Sequence, residues 1–271
     1  MNKKPCIHLI GDAILDNYQW LTDTKSDLKN TIVSLGYEVH NHAEEGARIT
    51  NLIEGIRLSN HHGKTRSYSY RPEKDGKLYP LLSFSKASGG KAFISAYGNL
   101  DLNVTRAKME KEHLVVLSLG GNDIMDHSAS IILRSEATME TLIAGKIGST
   151  YQQIIQQLLQ QTRKIILVTL YVPYLGNGAS YYIKKNIANL VADKWNRFIL
   201  KMGSQFDLPV IDLRRTLDEN NRAHFGTLDT QLGDLPNECL AQGINYIARN
   251  YKGHRVYYYE DCDLDRLKVE Y

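Results

Sequence analysis

Hydrophobic positions along this 271-residue chain fall into two patterns. Short continuous apolar runs occupy 7–10, 114–119, 165–170 and 208–213, and a more polar run of the same length covers 37–41. Apolar runs without alternation are how strands covered on both faces look, as in a parallel sheet. Between them, apolar residues recur every three or four positions, the spacing of one helical face. Over 26–35 these are Leu28, Ile32, Val33 and Leu35, closed by Gly36 where a C-cap glycine belongs. Ile49, Leu52, Ile53 and Ile56 form a second stripe, and Ile147, Tyr151, Ile154, Ile155, Leu158 and Leu159 a third. Ile183, Ile187, Leu190, Val191, Trp195 and Phe198 mark a long helix over 182–202, and Leu240, Ile244, Ile247 and Ala248 a last one over 238–251. Five strands alternating with helices predict a three-layer α/β/α sandwich around a flavodoxin-like, doubly wound parallel five-stranded sheet.

The periodicity lapses between 57 and 113, so one domain is expected over 1–251 with an insert at about 57–113. The remainder, 252–271, is a tail of unassigned role, in which Val256-Tyr257-Tyr258-Tyr259 offers an edge strand or a surface for a partner. Within the insert, Lys64, Arg66, Arg71, Lys74 and Lys77 interleave with Tyr68, Tyr70 and Tyr79. Such a mixture can bind phosphate or a single strand, but long surface loops collect the same residues. The reading taken is a solvated loop, and its length fits a lid over a substrate.

In the predicted strand order the crevice opens between the first and third strands, at their carboxyl ends. The first strand empties into Gly11-Asp12-Ala13-Ile14, with Asp16-Asn17 behind it, and the third into Gly120-Gly121-Asn122-Asp123. The two most distinctive loops of the chain thus converge on one site. Gly11-Asp12-Ala13-Ile14 resembles the first block of the SGNH (GDSL-like) esterases and lipases, in which the third position is the serine nucleophile. Here it is Ala13. Gly46, in Asn41-His42-Ala43-Glu44-Glu45-Gly46, matches the second-block glycine, and Asn122 the third-block asparagine.

The resemblance implies an oxyanion hole built from the residue-13 N–H, the Gly46 N–H and the Asn122 amide, with Asp12 fixing the loop. It extends to Ile211-Asp212-Leu213-Arg214 and to Gly243-Ile244-Asn245-Tyr246-Ile247-Ala248. Read alone, Gly46 is a turn residue and Asn122 a helix cap. The family's fifth block, Asp-x-x-His before the last helix, is degenerate. Counting back from Gly243, the histidine position falls on Glu238, and Asp234 lies close to the aspartate position; His224 is the nearest histidine in sequence. Glu238 also reads as a plain helix-N-terminal carboxylate, and His224 as a surface residue. The function implied is ester hydrolysis by a serine nucleophile, of an acyl-ester or deacetylase kind, in a nucleophile-less form. Intact oxyanion blocks favour a deliberate serine-to-alanine replacement. The odd fifth block favours the alternative, a natural pseudoenzyme that binds a ligand or partner.

Composition narrows this little further. A formal net charge of +3 is too small to argue for nucleic acid, so the expected partner is a small-molecule, lipid or carbohydrate acyl ester. No cofactor is implied: no residue set has zinc spacing, and Gly-x-x-x-x-Gly-Lys is absent. His8 reads as a satisfied core residue, His61-His62 as loop, and His127 as a residue near the site without an assigned role. No signal peptide or membrane span is evident, and Cys6, Cys239 and Cys262 form no disulfide framework. A cytoplasmic location is expected, with export by a route lacking a cleaved signal left open.

Overall fold

The computed structural model describes residues 4–15, 27–43, 49, 66–72, 78–84, 109–126, 140, 141, 143, 145–174, 179–226 and 232–271; for 66–72 and 78–84 it gives the backbone course. The expected helix over 49–56 lies outside them, Ile49 excepted.

The chain opens with β1 (Cys6–Gly11), buried at all six positions, which is why its run is apolar apart from His8. Helix α1 (Leu28–Ser34) is capped by Asp27, whose Oδ1 accepts the Asn30 N–H at 2.5 Å, and it buries Leu28 and Ile32. Gly36 closes it at φ +99°, and β2 (Glu38–Asn41) then runs parallel to β1. Strands β3 (Arg66–Pro72) and β4 (Leu78–Phe84) form an antiparallel hairpin with its own sheet. The stretch read as a solvated loop therefore has regular structure. The overlooked signal is Asp75-Gly76 between two runs holding Tyr68, Tyr70, Leu81 and Leu82, a common hairpin pattern.

Next come β5 (Leu114–Ser118), the short α2 (Gly121–Asp126), α3 (Lys146–Gln161), β6 (Lys164–Val168) and the long α4 (Ala179–Phe206). Strand β7 (Val210–Ile211) is cut short by Asp212, whose Oδ1 accepts the Arg214 N–H at 3.0 Å and so starts α5 (Leu213–Thr216). Helix α6 (Asp234–Arg249) precedes β8 (Val256–Tyr259) and β9 (Leu267–Glu270).

The main sheet has the order β2-β1-β5-β6-β7-β8-β9. Its first five members are the five expected strands in the flavodoxin-like order, and helices complete the α/β sandwich. The tail adds the other two: β8 lies parallel to β7, so β7, α6 and β8 make one more βαβ unit, and β9 folds back antiparallel. At this rim the Arg215 guanidinium forks onto both Glu270 carboxylate oxygens at 2.5 and 2.7 Å and lies over the Tyr258 ring.

Packing around the site is dense. Trp195 of α4 is fully buried, meets the Tyr151 ring edge-on at 5.6 Å, and donates its indole N–H to Leu119 O at 3.1 Å. Elsewhere α1 and α6 pack together, with the Tyr37 hydroxyl donating to Asn245 Oδ1 from the residue that leads into β2.

Candidate active site

The site forms where β1 and β5 end side by side. Their register pairs Gly11 with Ser118, and the Asp12 N–H continues the ladder onto Ser118 O at 3.1 Å. A Cβ on Gly11 would sit 2.1 Å from that same carbonyl oxygen, so only glycine allows the strands to approach this closely. The chain then turns. Leu15 N–H donates to Asp12 O at 3.0 Å, and Ile14 N–H to Asp12 Oδ1 at 3.2 Å, an aspartate folding the turn onto its own side chain. Asp12, Ile14 and Leu15 are buried, and Ala13 alone in this turn reaches solvent.

The facing loop starts at Gly120, whose φ of +117° and contact with the Trp195 ring both demand glycine. A Cβ built on Gly121 would lie 3.6 Å from Asp12 Oδ2, so the two loops run close together. Asn122 is the second residue of α2 and half-buried; it is not the helix cap, a place Gly120 holds. The buried Asp123 carboxylate accepts the Ile49 N–H at 3.0 and 3.2 Å, tying this loop to the segment after β2. That segment leaves along β1, with the His42 N–H donating to Leu9 O at 2.8 Å. Gly46 and His127 lie outside the described residues.

No family model matches the sequence, and comparison with curated proteins gives no match either. Solved structures do match over nearly the whole chain. A phospholipase A1 from Streptomyces albidoflavus NA297 is 12% identical with a TM-score of 0.53, covering 93% of this chain and 100% of its own. The M. smegmatis aryl esterase is 11% identical with a TM-score of 0.53, covering 91% and 99%. A catalytic mutant of an acetylxylan esterase from Geobacillus stearothermophilus is 12% identical with a TM-score of 0.51, covering 92% and 95%. The chain has an SGNH-hydrolase-like fold.

The two loops at the β1 and β5 ends are the ones whose sequences resemble the first and third SGNH blocks. The fifth block is arranged otherwise than the sequence suggested. Helix α6 begins at Asp234, one turn before the expected start, with the Asn237 N–H donating to Gly233 O at 3.1 Å. Asp234 is thus in the first helical turn, and Glu238 sits on an exposed position of the helix rather than in the loop before it. Counted forward from Asp234, the Asp-x-x-His spacing lands on Asn237, which is fully buried. This residue was overlooked because the count ran backward from Gly243.

His224 is not a surface residue. It is 4% exposed in a 3-10 turn (Arg222–His224), its Nδ1 accepts the Asp218 N–H at 3.0 Å, and its Nε2 lies 3.1 Å from Asn221 Nδ2. Burial pushes its pKa down, against the pull of Asp218 and Asp261. The neighbouring Phe225 meets the rings of Tyr171 and Tyr174 beyond β6, so this turn belongs to the same end of the sheet.

Asp12 carries the electrostatic signature of the site. Burial pushes its pKa up to about 7, the Asp123 charge adds to the rise, and the Ile14 N–H opposes it. The folded chain therefore holds a proton that the unfolded chain releases near the ordinary carboxylate value of 3.8. Stability is expected to fall as pH rises from about 4 to about 7 and to stay level above that. The full span corresponds to an upper limit on the order of 4 kcal/mol. Asp12→Asn keeps the acceptor for the Ile14 N–H, so its urea midpoint should vary less between pH 5 and pH 8 and exceed the parent's at pH 8. An unchanged pH slope in the variant would assign the dependence to another group.

Proposed function

We propose that this is an SGNH-type ester-hydrolase site in nucleophile-less form, binding an acyl ester between the Gly11–Ala13 turn and the Gly120–Asp123 loop. The observation that supports it most is the close approach of those two loops, at Asp12 and Gly121, at the ends of adjacent parallel strands. In this reading the acyl carbonyl oxygen points at the residue-13 N–H, the Gly46 N–H and the Asn122 amide. Donors fixed before the reaction stabilise charge as it develops on that oxygen. With serine at position 13, its oxygen would attack the carbonyl carbon, its proton would pass to a base, and the alcohol would leave before water released the acid. Alanine supplies a methyl group where that oxygen is needed.

Glu238, Asp234 and His224 remain the proposed sources of the base. Glu238→Gln and His224→Ala, each in an Ala13→Ser background, should separate them, with one variant and not both losing about a hundredfold in kcat. A serine replaced by alanine is the history we favour for position 13. The second reading, a natural ligand-binding pseudoenzyme, draws support from Asn237 at the histidine spacing and from the outward Glu238. The cysteines are free thiols, in keeping with a reducing cytoplasm, and no helix among the described residues is long and apolar enough to cross a membrane.

The oxyanion assignment is tested by Asn122→Ala in the Ala13→Ser background. Loss of one such donor costs on the order of a hundredfold in kcat with little change in KM. Unchanged kcat for a short-chain aryl ester would remove Asn122 from the site.

A further inference from the structure

At the opposite half of β1 the structure gathers a second set of reactive side chains. Cys6 and His8 are two positions apart on the strand, hence on one face of the sheet. The register sets Cys6 beside Glu38 and His8 beside His40 on β2, while His113 stands immediately before β5 on the other flank. The His8 ring stacks on those of His40, His42 and His113, with centroids 4.9, 5.4 and 5.1 Å away. Cys6 and His8 are 5% and 2% exposed, in a strand otherwise filled by isoleucine, leucine and glycine. Apolar side chains would fill these positions without the cost of desolvating a polar ring.

The donor atoms are spaced for a common ligand. Cys6 Sγ lies 3.6 Å from His8 Nε2, His8 Nε2 lies 3.0 Å from His113 Nδ1, and the three donor groups fall within 4.8 Å of one another. A tetrahedral zinc ion, with Zn–N near 2.0–2.1 Å and Zn–S near 2.3 Å, would set N···S at about 3.6 Å and N···N at about 3.4 Å. The two pairs through His8 Nε2 therefore match these spacings to within a few tenths of an ångström, and Cys6 and His113 lie within 4.8 Å. His8 also has a partner for its other nitrogen, while His113 has only a more distant carboxylate. His42 Nε2 is 3.1 Å from His8 Nδ1, and Glu110 Oε2 is 3.6 Å from His113 Nε2. A partner like His42 fixes the tautomer and aims the free lone pair at an ion, whereas at 3.6 Å the Glu110 carboxylate does not hydrogen-bond His113. The ion would displace the Glu110 N–H bond to His113 Nδ1 at 3.2 Å and the contacts His8 Nε2 makes with His113 Nδ1 and Cys6 Sγ.

We propose that Cys6, His8 and His113 form a binding site for a zinc-class divalent cation, with solvent in the fourth position. Mixed sulfur and imidazole donors select such an ion over magnesium or calcium. His8 lies four residues before Asp12 on the same strand, about 13 Å at strand rise, so the ion would act away from the ester site. It would pin β1 to the start of β5.

The test uses the whole chain, stripped with chelator and titrated with cobalt(II) as a spectroscopic stand-in. One equivalent should give a thiolate-to-cobalt charge-transfer band with tetrahedral visible bands, and zinc should bleach both. Cys6→Ser should abolish the charge-transfer band, and His113→Ala should weaken binding on the order of a hundredfold. His40→Ala should bind as the parent does. Thermal unfolding of each metal-free variant checks that it folds, and zinc should raise Tm for the parent and for His40→Ala but not for His113→Ala. The assignment fails if the parent shows no charge-transfer band, or if the band survives His113→Ala undiminished. It fails equally if Glu38→Gln and His40→Ala abolish binding, because the overlapping Cys6–Glu38–His40 set would then hold the ion.

Discussion

Replacing Ala13 by serine is expected to make the chain form an adduct with a fluorophosphonate probe at residue 13, where the parent forms none. The turn that presents this residue depends on Asp12 and on backbone bonds to Ser118 and Leu15, none of which involves the side chain at 13. A hydroxyl can therefore be added without rebuilding the loop. The probe is strongly activated, so attack by the serine oxygen with loss of fluoride relies less on a base than ester hydrolysis does. Turnover of a short-chain aryl ester should also rise above the parent's. It should stay well below that of a complete triad, because a positioned base contributes about 10²–10⁴-fold and the fifth block offers no histidine at its expected place. Labelling with turnover supports the hydrolase reading. Labelling without turnover, together with binding of intact ester by the Ala13 chain, moves the assignment to the pseudoenzyme. Neither labelling nor turnover would remove residue 13 from an ester site.

A second large effect is expected at the two glycines that let these loops meet. Gly11→Ala places a methyl 2.1 Å from the Ser118 carbonyl oxygen, a backbone atom that cannot yield without breaking the β1–β5 register. Gly120→Ala combines a φ of +117° with a Cβ 2.3 Å from the ring of fully buried Trp195. Each should cost more than about 4 kcal/mol, the range reserved for overpacking and enforced backbone strain. Gly36→Ala is the internal control. Its φ of +99° is equally unfavourable for alanine, but nothing lies within 4 Å of the added methyl. It should lose only the backbone penalty, about 1–3 kcal/mol. Urea midpoints for the three variants measure the difference, and equal losses at Gly36 and Gly120 would show that the Trp195 contact costs nothing.

The parallel core was legible because strands covered on both faces are mostly apolar, and β1, β5 and β6 are apolar apart from His8, Ser118 and the half-buried Lys164. Asp12, Gly121 and Asn122 could be found for a related reason: an apolar run stopped by glycine marks a strand emptying into a loop. What escaped were features fixed by partners distant in sequence. Val256–Tyr259 was readable as a candidate edge strand, but its inner place between β7 and β9 depends on α6 delivering it to the β7 edge and on β9 folding back. The expected start of α6, at 238, falls one turn late; Pro236 stands in the observed first turn, where proline is tolerated. His224 looked like a surface residue since its burial comes from contacts with Asp218 and Asn221 in a non-repeating loop. The cysteine–histidine cluster joins residues 34 and 105 positions from His8, a separation no spacing motif covers.

The backward fold of β9 has a colloidal consequence. A parallel sheet ending at β8 would leave a valine-and-tyrosine strand with open backbone donors and acceptors, a template on which another chain could grow. The strand laid over it alternates half-buried Leu267 and Val269 with exposed Lys268 and Glu270, and Arg215 clamps its final residue. Charges now stand at the rim where an incoming strand would pair. The last few residues act as a selvedge, finishing a cloth that would otherwise fray into its neighbours.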